Sequence, residues 1–379
     1  MSLSRITLSH RRRIFHLPLH QYTIRHSSST TSASAIASAF LSKFQSLGPQ
    51  SRSQSLDANQ LRLLALTLNR PTLFPSSPQP EEVQSPSSAP PPAAGTPLPP
   101  GYHLVYFTPA FLETDLGADG TDVSYNPSPP FTRRMWAGGE VRWPRDEGGR
   151  VNPLRVGQDV VETTRVLSAE PKVVKKTGEE MIVVSVEKVF GNEDGVAVVD
   201  RRNWVFRKAL SEPISSPTPH PPPDRQIPRP TSSSTIASSG STHTRTLRQT
   251  PVTLFRFSAL TFNPHKIHYS LPWARDVEGH RDLVVHGPLN LISILDMWRD
   301  VKRQNATSST TSRRSASGIS DPGLFLPESI SYRATNPLYA GDEYQVVLEE
   351  EEGDGARVQI FDTEGVVALK ADIRGGVAG

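Results

Sequence analysis

Two segments of this chain repeat one another. "NPLRVGQDV" begins at Asn152 and "NPLYAGDEY" at Asn336, so both read Asn-Pro-Leu-x-x-Gly. The residues downstream of the two segments are also alike. In the middle of the chain "MIVVSVEKVF" leads through the turn "GNEDG" to "VAVVDRRNWVF". Near the end "YQVVLEE" leads through "EEGDG" to "ARVQIF", and "DTEG" leads to "VVALKAD". Val/Ile-rich alternation broken by Gly/Asp/Asn turns is the pattern of antiparallel hairpins. An internal copy of such a meander means one fold used twice.

Low-complexity tracts set the limits of the two copies. Residues 75–100 carry ten Pro and residues 211–250 are Pro- and Ser-rich; neither can form a helix or a central strand. A shorter tract, "NATSSTTSRRSASG", spans 305–318. The resulting division is a leader over 1–35, a helical segment with a Pro-rich linker over 36–100, one block over 101–210, a linker over 211–248 and a second block over 249–379. In the last block "HGPLNLISILDMWRD" places Pro288 at a first helical position, and Leu291, Ile292, Ile294, Leu295 and Trp298 make that helix apolar nearly all round. A buried helix ahead of an antiparallel meander predicts an α+β hot-dog architecture, a sheet wrapped around a central helix. Two copies predict a double hot-dog.

Composition narrows the chemistry. The chain has no Cys, which excludes disulfides, Cys-ligated zinc, iron–sulfur clusters and thiol nucleophiles. No apolar run approaches the ~20 residues of a membrane helix. The formal charge of +3 is concentrated at one end: residues 1–50 hold six cations and no acid, so the remainder carries −3 and gives no nucleic-acid signature. The Arg- and Ser-rich, acid-free start has the composition of a mitochondrial transit peptide. Neither a Gly-x-Ser-x-Gly elbow nor a phosphate-cradling loop occurs.

One constellation carries chemistry. "LTFNPHKIHYS" puts Asn263, His265 and His268 within six positions, behind the apolar run "TLFRFSA", which reads as a strand. A metal site, a proton-transfer site and a polar turn all fit that spacing. "FRFSALTFNPHKIHYS" and "WARDVEGHRDLVVHGPLNLISILD" together resemble the C-terminal half of the mitochondrial hydroxyacyl-thioester dehydratases type 2, and "FTRRMWAGGEVRW" (131–143) resembles part of their N-terminal half. The resemblance implies a double hot-dog related to the R-specific enoyl-CoA hydratases. The wider family motif, Gly-Asp-x-Asn-Pro-x-His, aligns its His on His268 and puts Asn263 where the family has Asp. An Asn neither takes nor gives a proton at neutral pH, so it is expected to orient while His268 moves the proton. Gly287, ahead of the buried helix, matches the family glycine whose N–H serves the thioester oxyanion.

The implied reaction is reversible dehydration of (3R)-3-hydroxyacyl thioesters to trans-2-enoyl thioesters in mitochondrial fatty-acid synthesis, in the matrix. It requires no metal, nucleotide or redox cofactor. The expected partner is an acyl-carrier-protein or CoA thioester, with no nucleic acid and no membrane span, in a homo-oligomer. His286, Arg134, Trp136 and His265 are expected around the substrate, His286 otherwise as a turn cap, and Arg134 and Arg142 against a carrier phosphate. The 133–143 segment is expected in the degenerate copy at the place of the active element. Rival readings are a mesaconyl-CoA-type hydratase, an acyl thioesterase and a non-catalytic acyl-binding hot-dog protein.

Overall fold

The hairpin turns fall where Gly, Asn and Asp cluster, and the strands between them run long. The computed structural model describes residues 32–74, 90–175, 177–210, 235–308, 324–352 and 354–375. The expected transit segment lies outside the described residues up to position 31. The first part of the chain gives helix α1 (Ala33–Leu47), strand β1 (Gln50–Ser55) and helix α2 (Ala58–Thr67), then β2 (Phe131–Arg142), β3 (Asp159–Val173), β4 (Glu180–Asn192) and β5 (Gly195–Lys208). The second part gives β6 (Ala237–Ser239), β7 (Thr242–Arg248), helix α3 (Pro251–Thr261), helix α4 (Gly287–Ser308), then β8 (Ser329–Ala334), β9 (Glu343–Glu350), β10 (Ala356–Phe361) and β11 (Val367–Arg374).

All strands join one antiparallel sheet in the order β1-β3-β4-β5-β2-β8-β11-β10-β9-β7-β6. Each half therefore runs first-third-fourth-fifth-second, and the halves meet back to back at β2 and β8, from Gly138 opposite Arg333 to Arg142 opposite Ser329. This is the double hot-dog, as one continuous sheet. The Asn-Pro-Leu-x-x-Gly repeat occupies the same loop in both halves, between second and third strands. Its glycines, Gly157 and Gly341, have φ of 83° and 86°, a backbone that side chains strongly disfavour.

Backbone bonds align the halves residue by residue. Leu98 N–H donates to Leu154 O (2.8 Å) and Val156 N–H to Thr96 O (2.9 Å); in the second half Val285 donates to Leu338 (2.8 Å) and Ala340 to Leu283 (2.9 Å). Arg70 N–H to Ala65 O (2.8 Å) matches Asn263 N–H to Ser258 O (2.9 Å), each just after a left-handed residue, Asn69 or Phe262.

These pairings correct several expectations. The N-terminal half starts at β1, not at residue 101, because the polar "QSRSQS" pairs along β3. The C-terminal half starts inside the stretch read as linker, since β7 pairs with β9 over its whole length. "TLFRFSA" is a helix, not a strand: Thr250 caps it, Pro251 opens it, and Leu254, Phe257 and Leu260 are buried at helical spacing. The 133–143 segment is the second strand, matching β8. The counterpart of the active element is instead Asn69–Phe74, directly after α2.

The halves differ most at the centre. Helix α4 buries Leu289, Leu291, Ile292, Ile294, Leu295, Met297 and Val301 completely, each stabilising by roughly 1.5–3 kcal/mol before ordering entropy. In the first half the matching position holds a short 3-10 turn, Tyr102–Val105, among the described residues. The helix expected at the centre of each copy is thus present in one. Helix α1 covers part of the vacated face, with Ile36, Ala37 and Phe40 against Ile182, Val184, Trp204 and Phe206. The rest of that face is charged and opens onto a cleft.

Candidate active site

The cleft, 1310 Å³ in volume, runs between the halves and is lined by Asn263, His265, His268, His286, Gly287, Trp136 and Arg134. All the residues singled out in the sequence therefore meet in one place, except Arg142, which does not line it. Arg142 is half exposed beside Glu140 on strand β2.

His268 sits in a 3-10 turn after α3 and is 7% exposed. Its Nδ1 lies 2.7 Å from the Val284 carbonyl oxygen, which only accepts, so Nδ1 carries the proton and Nε2 is left as a free base. Burial, aided by the neighbouring His265, pushes its pKa down to about 3 against the pull of that carbonyl. At neutral pH the imidazole is uncharged and ready to accept.

His286 is more than a turn cap. Its ring stacks on His268 with centroids 3.6 Å apart, and Phe257 meets its other side edge-on at 5.0 Å. Its Nε2 is 2.9 Å from Ser258 Oγ, while its Nδ1 is buried without a partner among the described residues. Burial, then His268, pushes it well below the usual histidine range. The stack fixes the plane of the His268 ring.

His265 is no plain turn residue either. Its ring meets His268 edge-on at 5.4 Å, its Nε2 is 3.7 Å from Asp119 Oδ2, and burial followed by the Arg134 charge pushes it down to about 3. Asp119 belongs to a loop of the first half that presses on this element: Lys266 N–H donates to Asp119 O (2.8 Å), and a Cβ on Gly120 would lie 2.1 Å from Pro264 O. Only glycine, here at φ +83°, fits that contact. Asn263 Oδ1 accepts from His265 N–H at 3.2 Å, bracing the loop, and its amide nitrogen has no partner among the described residues. Among those residues no three His, Cys, Asp or Glu side chains are grouped to hold a metal.

Gly287 opens α4 after His286, whose carbonyl accepts from Asn290 N–H at 3.2 Å. A first-turn N–H has no helical acceptor and Pro288 has none to offer, and Gly287 lines the cleft. A side chain here would touch Trp136 at 3.0 Å. The residues aligned with His286 and Gly287 in the first half are Pro99 and Pro100, and Arg70 takes the place of Asn263. Pro100 has no N–H, and Arg70 is spent on Asp300 at 2.7 and 2.8 Å. The first half cannot run the same chemistry.

Sequence reasoning missed Ser258, Asp119 and Gly120, and Arg202, whose guanidinium lies 5.2 Å from the Trp136 ring centre. Asp119, Gly120 and Arg202 reach the cleft through the pairing of the halves, while Ser258 lies within the α3 segment and acts through its contact with His286.

His268, with its proton on Nδ1, and Gly287 at the start of the buried helix line one cleft, an arrangement that suits acid–base chemistry beside a bound carbonyl group. Residues 101–340 match the family model of hydroxyacyl-thioester dehydratase type 2, and the chain belongs to that family. It is 33% identical over 223 residues to a mesaconyl-C(4)-CoA hydratase of Chloroflexus aurantiacus, covering 57% of this chain and 69% of that one. It is 29% identical over 227 residues to the mitochondrial hydroxyacyl-thioester dehydratase type 2 of Schizosaccharomyces pombe, covering 55% and 69%. A MaoC-like dehydratase structure from Phytophthora capsici superposes with a TM-score of 0.53 at 14% identity, covering 86% of this chain and 95% of that one, and shares the fold.

Proposed function

We propose that the protein is a hydro-lyase that interconverts 3-hydroxyacyl and trans-2-enoyl thioesters, in the R series that the family resemblance implies. The observation that carries this is the His268 tautomer: with Nδ1–H held by Val284, Nε2 is a base in the cleft that Gly287 also lines. In the dehydration direction, the thioester oxygen accepts from Gly287 N–H and Nε2 takes the α-proton. The C–O bond at the β-carbon breaks, and the same proton leaves on the departing hydroxide as water. The amide nitrogen of Asn263 donates to the hydroxyl and orients it. Hydration is the reverse. Proton transfer of this kind contributes roughly 10²–10⁴ in rate, and one oxyanion donor about 10²–10³.

The carrier is CoA or acyl carrier protein. A mitochondrial location is supported by the acid-free Arg/Ser composition of the N-terminus and by the mitochondrial S. pombe relative. The test mixes the protein with a trans-2-enoyl-CoA and follows enoyl absorbance and free thiol together. Loss of absorbance without thiol is the expected result. Thiol release identifies a thioesterase instead, and silence with folded protein on both CoA and acyl-carrier-protein esters identifies a binding module.

A further inference from the structure

On β3, β4 and β5 the first half turns charged side chains inward where the matching strands β9, β10 and β11 turn apolar ones. The inward residues across β1, β3, β4 and β5 include Arg52 opposite Glu162, Lys188 opposite Asp200, and Arg202 opposite Val186. Glu162, Lys188 and Asp200 are buried, and they are paired: Lys188 to Glu162 at 3.0 Å, Arg52 to Glu162 at 3.0 Å, Arg202 to Asp200 at 2.6 Å. Strand β2 completes the row with Arg134 opposite Phe206 and Trp136 opposite Trp204. Glu162, Lys188, Arg202, Arg134 and Trp136 all line the cleft.

Arg134, like Arg207 with its nearest carboxylate at 3.8 Å, differs from the better-paired arginines of these strands. Arg133, Arg201 and Arg202 each donate to a carboxylate at 2.9 Å or less. The nearest carboxylate to Arg134, Asp122, stands at 3.8 Å, beyond hydrogen-bond reach, Asp119 acts on it from further off, and it makes no side-chain hydrogen bond among the described residues. Its side chain is 18% exposed, into the cleft, and its guanidinium lies over the Trp204 ring at 5.2 Å. Its N–H groups, with no acceptor within hydrogen-bond reach, are free to serve a bidentate acceptor entering the cleft. In the row, four cations (Arg52, Lys188, Arg202, Arg134) face Glu162, Asp200, Asp122 and, acting on Arg134 from further off, Asp119, so the charges balance and what Arg134 lacks is a hydrogen-bond acceptor.

Position decides which part of a substrate meets this charge. Arg134 and Trp136 share one face of β2, about 7 Å apart along the strand, and Trp136 is the residue packed against Gly287. From Gly287, Trp136 and then Arg134 follow along that wall of the cleft, within reach of the first few carbons of an acyl group bound there. Resting on the reading of the cleft as a thioester site, we infer that Arg134 binds a carboxylate on the acyl chain, so that the preferred substrates are monothioesters of short dicarboxylic acids rather than plain alkyl acyl thioesters. A plain alkyl tail would lie against desolvated charge; a carboxylate accepts from the idle N–H donors of Arg134.

The test is a binding measurement that needs no turnover. Full-length wild type, Arg134→Gln and Arg134→Lys are titrated calorimetrically with glutaryl-CoA and with valeryl-CoA, saturated esters of equal chain length that differ in the terminal carboxylate. A charge-assisted bond predicts that wild type binds glutaryl-CoA about 30-fold more tightly. Arg134→Gln is expected to bring that ratio to within about threefold of one, and Arg134→Lys to hold an intermediate value, since its ammonium is a single point charge. Equal or undetectable binding of the two esters by wild type overturns the inference, as does a ratio unchanged in Arg134→Gln at an intact thermal midpoint. Loss of enoyl turnover with the preference intact removes the hydratase reading and leaves this one standing.

Discussion

Lowering the pH from 7 to 5 should destabilise the protein through the buried histidines of the cleft, and His268→Gln should weaken that dependence. His268 is held at about 3 in the fold, against about 6.5 in an unfolded chain. Between those values the unfolded state binds the extra proton, so stability rises with pH. The contribution is complete above about 6.5, is lost as pH falls, and is gone below about 3. At about 1.4 kcal/mol per unit, the step to pH 5 removes about 2 kcal/mol through His268 alone. His265, held at the same depressed value, removes a like amount. The assay is urea denaturation of wild type and His268→Gln at pH 7, 6 and 5, comparing the fall in unfolding free energy. The variant should fall by about 2 kcal/mol less than wild type over that range. An equal or larger fall would mean that His268 is not buried neutral, and would refute the tautomer argument. Because Nε2 is already a free base, kcat/KM should also be flat from pH 6 to 8, with no limb near 6.5.

Two contacts give further outcomes. Gly287→Ala puts a methyl 3.0 Å from Trp136 at the oxyanion position, so kcat should fall by at least tenfold while the thermal midpoint moves little; steady-state kinetics and a melting curve separate the two. Arg70→Ala strips the buried Asp300 of its bidentate partner, leaving Arg245 at 2.7 Å, and should cost about 3–5 kcal/mol in denaturant unfolding.

What was legible in the sequence was local and periodic. Helix α4 announced itself through Pro288 and its all-round apolar surface, and the repeated Asn-Pro-Leu-x-x-Gly loops proved equivalent because each turn needs a left-handed glycine. Strand β7, "THTRTLR", looked like linker because its polar residues face away and only His243, Arg245 and Leu247 turn inward. Helix α3 passed for a strand because Phe255 and Phe262, more than half exposed, filled the positions between the buried ones and mimicked a period of two. His268 was found through its motif, but the His286 stack behind it depends on two loops 18 residues apart meeting. The kinship of Arg70 with Asn263, and the idle guanidinium of Arg134, exist only once the halves are paired.

The central claim is that His268 carries the proton to and from the α-carbon. The direct test hydrates a trans-2-enoyl thioester in deuterated water with wild type and with His268→Gln, measuring the rate and the deuterium at the α-carbon by NMR. Wild type is predicted to place one deuterium at the α-carbon with a single stereochemistry, and the folded variant to be slower by about 10²–10⁴. A folded variant within tenfold of wild type, with the same labelling, would contradict the account.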